Sequence, residues 1–202
     1  MFGGTSVRAL LAGWKTQTRL LANKHRKARL QRIGEPDAVR LTSSMWRETA
    51  VGDRFWVRES LGWDKAAGRL FYRADGAPVT NAPPTGQPIG KTPRSSLYMP
   101  RWASWLTLMV VAVRIEPLQA ISEDEAIAEG IRPLADGRFL ADRADPATYP
   151  SAALAYAQRW SEFHTRPGTR WDDDPEVVVV SFEVARSDLT SAAPGLAAAP
   201  AQ

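Results

Sequence analysis

The sequence predicts an α+β fold, most simply a partly open β-barrel with a few short helices packed at its ends. Three observations carry that expectation. Several short apolar segments alternate with a period of two, a few helix-length segments have clear start and stop signals, and 15 prolines and 14 glycines punctuate the chain.

The first element is a short helix. Thr5 and Ser6 are good N-caps, Val7, Leu10 and Leu11 recur at helical spacing, and Gly13 supplies the terminating residue. Lys15 then falls in the turn, and residues 16–21 leave as a strand. Residues 22–50 are polar, basic and weakly patterned, a long excursion with at most a helical turn. Residues 51–53 form a turn and 54–60 a strand, with Phe55, Val57 and Glu59 on one face and Arg54, Trp56 and Arg58 on the other. A carboxylate in line with two core residues is either paired with a cation or lines a cleft.

Residues 69–74 read as the hairpin partner of that strand, and 75–100, rich in Pro, Gly, Thr and Ser, as a surface loop. Residues 106–116 are apolar and β-branched, the pattern of a central strand. Ser122 and Glu125 form a capping box with Ile121 as staple, and Gly130 stops the helix they begin. Glu129 therefore sits in the last turn, where the helix dipole disfavours negative charge. A second helix spans 151–164, with Leu154, Ala157, Trp160 and Phe163 as its apolar stripe. Residues 176–184 form the last strand, with Val178, Val180, Phe182 and Val184 inward. Residues 1–185 thus read as one domain, and 186–202 as a disordered tail of Ala, Pro and Ser.

Composition narrows the chemistry. The 202 residues include eight Trp, two His and no Cys, which rules out disulfides and thiolate metal sites and leaves little for a histidine zinc site or a Ser-His-Asp triad. No metal or organic cofactor is expected. No apolar run approaches the ~20 residues of a membrane helix, and the N-terminus has no long apolar core of a signal peptide. A cytoplasmic location is the expectation. The net charge of +4 is unevenly spread. Before Glu35 there is no acid, yet Arg8, Lys15, Arg19, Lys24, Arg26, Lys27, Arg29 and Arg32 all precede it. Such a segment attracts polyanions, or is simply a solvated basic loop.

Residues 13–19, Gly-Trp-Lys-Thr-Gln-Thr-Arg, resemble the signature of the ASCH domain, a relative of the PUA RNA-binding fold. The similarity continues through 52–59, 99–104, 121–131, Trp171-Asp172 and 177–182. This order of blocks is similar to that of the longer ASCH proteins of phages and prophages and covers roughly residues 2–185. The resemblance implies a PUA-like barrel whose cleft binds RNA or a modified nucleoside. It also places Met1-Phe2 where family members have an entering strand.

A small bacterial ASCH protein is an amidohydrolase that deacetylates N4-acetylcytidine, and its Lys, Thr and Glu match Lys15, Thr18 and Glu129. The sequence departs from the family at Trp14, usually Arg, and in being about twice as long as the small amidohydrolases. A ribonuclease using the same Lys is a third expectation from the resemblance.

The chemistry can be weighed without the family. Hydrolysis of an amide needs a nucleophile or activated water, a proton shuttle and an oxyanion partner. Lys15 serves only with a lowered pKa, which burial, or charge from Arg8 and Arg19, would provide. Glu129 would accept the proton, and Thr18 would relay it or orient the substrate. Each has a plain alternative: Lys15 as a phosphate contact, Thr18 as a strand residue, Glu129 paired with Lys15 or Arg58, Glu59 paired with Arg101. For binding, Trp14, Trp56 and Trp102 are stacking candidates, with Arg58 and Arg101 beside them and Lys24, Arg26, Lys27 and Arg29 on phosphates. Each Trp is otherwise a core residue.

Overall fold

The computed structural model describes residues 3–27, 39–80, 83, 92–142 and 145–186. Helix α1 (Gly4–Leu11) leads into β1 (Gln17–Leu21), followed by β2 (Asn23–Lys27), β3 (Val39–Ser43), β4 (Arg54–Trp56), β5 (Leu61–Asp64), β6 (Arg69–Tyr72) and the long β7 (Leu106–Pro117). Then come α2 (Glu123–Ala128), β8 (Arg132–Pro133), β9 (Phe139–Asp142), β10 (Asp145–Tyr149), α3 (Ala152–Phe163) and β11 (Glu176–Arg186). The chain is mixed α+β. Its main sheet is antiparallel, in the order β1-β11-β7-β4, and curls into half a barrel.

The expected central strand is central. β7 pairs with β11 along its whole length and with β4 on its other edge. Leu106, Leu108 and Val110 of β7 and Val178, Val180 and Phe182 of β11 fill one core together with Val7 and Leu10 of α1. On the opposite face of β11, Val177 and Val179 join a second core built with α2 and α3. The first half of β11 is therefore buried on both faces, which its uninterrupted valines permit.

Several expectations need correction. α1 is capped by Gly3, not by Thr5 or Ser6. Within residues 22–50, β2 and β3 form an antiparallel ribbon, followed by a 3-10 turn, Met45–Glu48, that Ser44 caps. The ribbon pairs Asn23 with Ser43 and Lys24 with Thr42, so no apolar alternation announces it. The strand expected over 54–60 ends at Trp56, although Val57 and Glu59 keep their inward face. Residues 69–72 pair with β5, not with 54–60. In the expected loop over 75–100, Pro78 bridges Phe71, Arg94 bridges Leu61, and Ser96–Tyr98 is a 3-10 turn. Arg186, the expected start of the tail, still belongs to β11, opposite Leu106; residues 187–202 lie outside the described residues, as do Met1, Phe2, Arg29 and Arg32.

The stripe expected on α3 is wrong as well. Leu154 is 49% and Phe163 75% exposed, and the buried residues are Ala152, Ala155, Tyr156, Ala157 and Trp160. Nine residues at 3.6 per turn make two and a half turns, so Leu154 and Phe163 point to opposite sides. Ser151, the expected start of the helix, caps α3, and Glu123 of α2 accepts hydrogen bonds from the Ala152 and Ala153 amides. Among the described residues no helix is long and apolar enough to cross a membrane.

Candidate functional site

Two helix ends meet at the start of β1. α1 closes with Gly13 at φ +75°, its amide donating to Leu10 while the Trp14 amide donates to Ala9. α2 begins with the Ser122–Glu125 capping box and ends at Glu129, with Gly130 at φ +98° turning the chain away. Lys15 and Glu129 then form an isolated antiparallel bridge, and the Thr16 amide donates to Ala128 O at 2.9 Å. Backbone pairing thus brings together two residues 114 positions apart.

The side chains follow the backbone. Lys15 Nζ donates to Gln17 O, Glu129 O and Glu129 Oε2, each at 2.8 Å, matching the three protons of an ammonium. Both residues are buried, at 4% and 2% exposure. Burial pulls the Lys15 ammonium below the ordinary lysine value; Glu129 opposes the shift, while Arg159 and Arg19 reinforce it. Arg8, expected to supply that charge, instead donates to Ala74 O and Thr5 Oγ1. Arg159, which sequence reading missed, donates to Glu129 O at 2.9 Å. Its only signal was that it is the one cation of α3.

Arg19 lies at the centre of a wider charge network. Its Nη2 donates to Glu116 at 2.7 Å and to Glu125 at 2.9 Å, and its Nη1 lies 3.6 Å from Glu129 Oε1. Arg114 pairs with Glu116 and Glu125 from the outer side. The guanidiniums of Arg19 and Arg159 lie 6.0 and 5.4 Å from the Tyr156 ring centre. A buried network of this kind stabilises only if its charges remain matched.

A pocket of about 110 Å³ opens beside this pair, lined by Thr5, Arg8, Ala9, Trp14, Gly130 and Arg132 among others. Gly130 is its partition from Lys15: a Cβ there would lie 3.4 Å from both Ala9 Cβ and Lys15 Cβ. Trp14 is 47% exposed, and the Arg132 guanidinium stands 5.0 Å over its ring. Among the described residues no acid lines the pocket. Arg132 was also missed; it follows the 121–131 block by one residue.

No family model, curated protein or solved structure matches the chain.

The remaining candidates are dispersed. β1 alternates: buried Gln17 and Arg19 face the charge network, whereas Leu20 packs into the core beneath α1. Thr18 shares the face of Leu20 and is half-buried, so Lys15 and Glu129 are joined but Thr18 is turned to the other side of the sheet. Glu59 is buried and accepts from Trp105 Nε1 at 2.8 Å and the Ala74 amide at 3.3 Å. The expected Glu59–Arg101 pair does not form. Burial raises the Glu59 pKa, and these two hydrogen bonds oppose the rise. Trp56 is half-buried with Arg58 stacked over it at 4.5 Å, Trp102 packs against the β5–β6 core, and Arg101 is exposed. Nothing is described of the side chains of Lys24, Arg26 and Lys27.

Proposed function

We propose that the chain binds RNA or a modified nucleoside, with one base held in the pocket between α1 and the Gly130 turn. The observation that carries this reading is a half-exposed indole with a guanidinium above it in an acid-free pocket. Bases stack on Trp, and Arg adds cation–π and phosphate contacts. At about 110 Å³ the pocket is well below the roughly 300–1,000 Å³ that enclose a drug-sized ligand. It suits one ring, with sugar and phosphate outside. The resemblance of residues 13–19 to the ASCH signature supports the same reading, and with it a PUA-like form of the half-barrel.

The test is titration calorimetry with cytidine, N4-acetylcytidine and cytidine monophosphate on wild type, Trp14→Ala and Arg132→Ala. Loss of a stacking partner costs about 1–3 kcal/mol, so Trp14→Ala should weaken binding by about 5- to 150-fold. Equal affinity in wild type and Trp14→Ala would sink this pocket as the binding site.

A second reading, amidohydrolysis of an N4-acylated cytidine, is favoured by the Lys15–Glu129 hydrogen bond and the lowered lysine pKa. In it water adds to the acyl carbonyl, and its proton passes through the Lys15–Glu129 pair to the amine nitrogen as the C–N bond breaks, releasing the carboxylate and the free cytidine. Thr18 lies on the opposite face of β1, which weakens its assigned role. Acetate release from N4-acetylcytidine, abolished by Lys15→Ala, tests it.

A further inference from the structure

A second surface lies where residues 92–104 run antiparallel along residues 57–61. Leu61 and Arg94 exchange both backbone hydrogen bonds at 2.8 and 2.9 Å, Arg58 Nη1 reaches Leu97 O at 3.5 Å, and Ser104 Oγ donates to Val57 O at 2.9 Å. Val57, Glu59 and Met99 point inward, at 2–3% exposure. Strand alternation therefore turns Arg54, Trp56 and Arg58 outward. Leu97 and Tyr98 are exposed beside them, Tyr98 at 72%.

The charge of this surface is one-signed. Neither 54–58 nor 92–104 contains Asp or Glu. Of their four arginines, Arg54 and Arg101 are exposed and Arg58 half-exposed, whereas Arg94 pairs with buried Leu61 and takes the inward face. Among the described residues none of the four is in an ion pair. The contrast with Arg19, Arg47, Arg114 and Arg159, each facing a carboxylate, is direct. The Arg58 guanidinium lies 4.5 Å from the Trp56 ring centre, and beyond the Nη1 contact to Leu97 O its remaining N–H groups are left for an oxyanion.

We propose that this surface binds a single-stranded nucleic acid, with Arg54, Arg58 and Arg101 on backbone phosphates and Tyr98 stacking an unpaired base. It goes beyond the Trp14 pocket and does not depend on it. Repeated arginines around an exposed aromatic ring suit a flexible polyanion whose every unit also offers a π-face. A duplex hides its base faces, and an acidic peptide has no use for Tyr98.

The test is fluorescence anisotropy of the full chain with a labelled oligouridylate over a salt series. Variants are Arg58→Glu with Arg101→Glu, and Tyr98→Ala; thermal melting checks folding, which substitutions at these outward positions should spare. Two lost phosphate contacts should make the slope of log affinity against log salt shallower by about 1.4, at about 0.7 per phosphate on a single strand. The charge reversal should lower affinity at least about tenfold and Tyr98→Ala about fivefold or more. Cytidine monophosphate binding at Trp14 should not change.

A wild type that fails to bind the strand overturns the proposal, whether or not it binds the mononucleotide. So do unchanged affinity and slope in the double variant. Equal binding of the matching duplex, or of oligoglutamate with no effect of Tyr98→Ala, overturns it in favour of a general polyanion surface.

Discussion

Lys15 Nζ lies 2.8 Å from Glu129 Oε2, but the pairing is lopsided, because Glu129 also faces Arg19 at 3.6 Å and Arg159 at 4.0 Å. Removing the carboxylate strands the buried Lys15 and takes a carboxylate from Arg19 and Arg159, whereas removing the lysine leaves the carboxylate with two cations. Breaking a buried pair costs about 3–5 kcal/mol when a charge is left uncompensated. Glu129→Gln should fall in that range and Lys15→Met clearly below it, and their double variant should lose less than the sum. Urea unfolding of the four proteins measures this. Equal costs for the two single variants would mean that the arginines do not sense Glu129.

The buried Glu59 should make stability pH-dependent. Its pKa is raised above 4.5 by burial. A group raised by folding contributes full stability below its unfolded value, and that contribution is lost as pH climbs through the folded value. Wild type should therefore lose this contribution between pH 4.5 and the raised value. In Glu59→Gln the dependence is absent, so its melting temperature relative to wild type should rise with pH over that window. A constant difference would count against a raised Glu59.

Gly130 and Gly13 offer a matched comparison. Both adopt positive φ, but a Cβ at Gly13 meets open space, whereas one at Gly130 meets Ala9 and Lys15 at 3.4 Å. Alanine at either should cost about 1–3 kcal/mol from backbone strain. Gly130→Ala should cost more and weaken ligand binding at Trp14, and Gly13→Ala should leave binding intact. Melting curves and calorimetry separate the two effects.

Glu125 has two jobs. Its side chain completes the capping box with Ser122 and also pairs with Arg19 and Arg114. Ser122→Ala should cost about 1 kcal/mol, the ordinary loss of a cap. Glu125→Ala should cost more, since Arg19 is wholly buried and loses one of its carboxylates. Denaturant midpoints decide.

Local signals proved readable wherever the physics is local. The Ser122–Glu125 box, the Gly13 and Gly130 stops and the apolar run of β7 all depend on residues within a few positions of one another. The inward line of Val57 and Glu59 was legible for the same reason, and so was the meeting of Lys15 with Glu129 as one alternative. The polar β2–β3 ribbon was not, because its pairing lies in backbone hydrogen bonds that leave no apolar rhythm.

By itself, then, the sequence determined the mixed α+β class, the helix ends and the absence of thiol chemistry, since each follows from residue type or near-neighbour spacing. Only the tertiary structure decided which cations surround Glu129, that Thr18 faces away from Lys15, and that Arg132 stands over Trp14. Those relations join positions up to 118 residues apart through strand pairing and helix packing, and no local pattern specifies them.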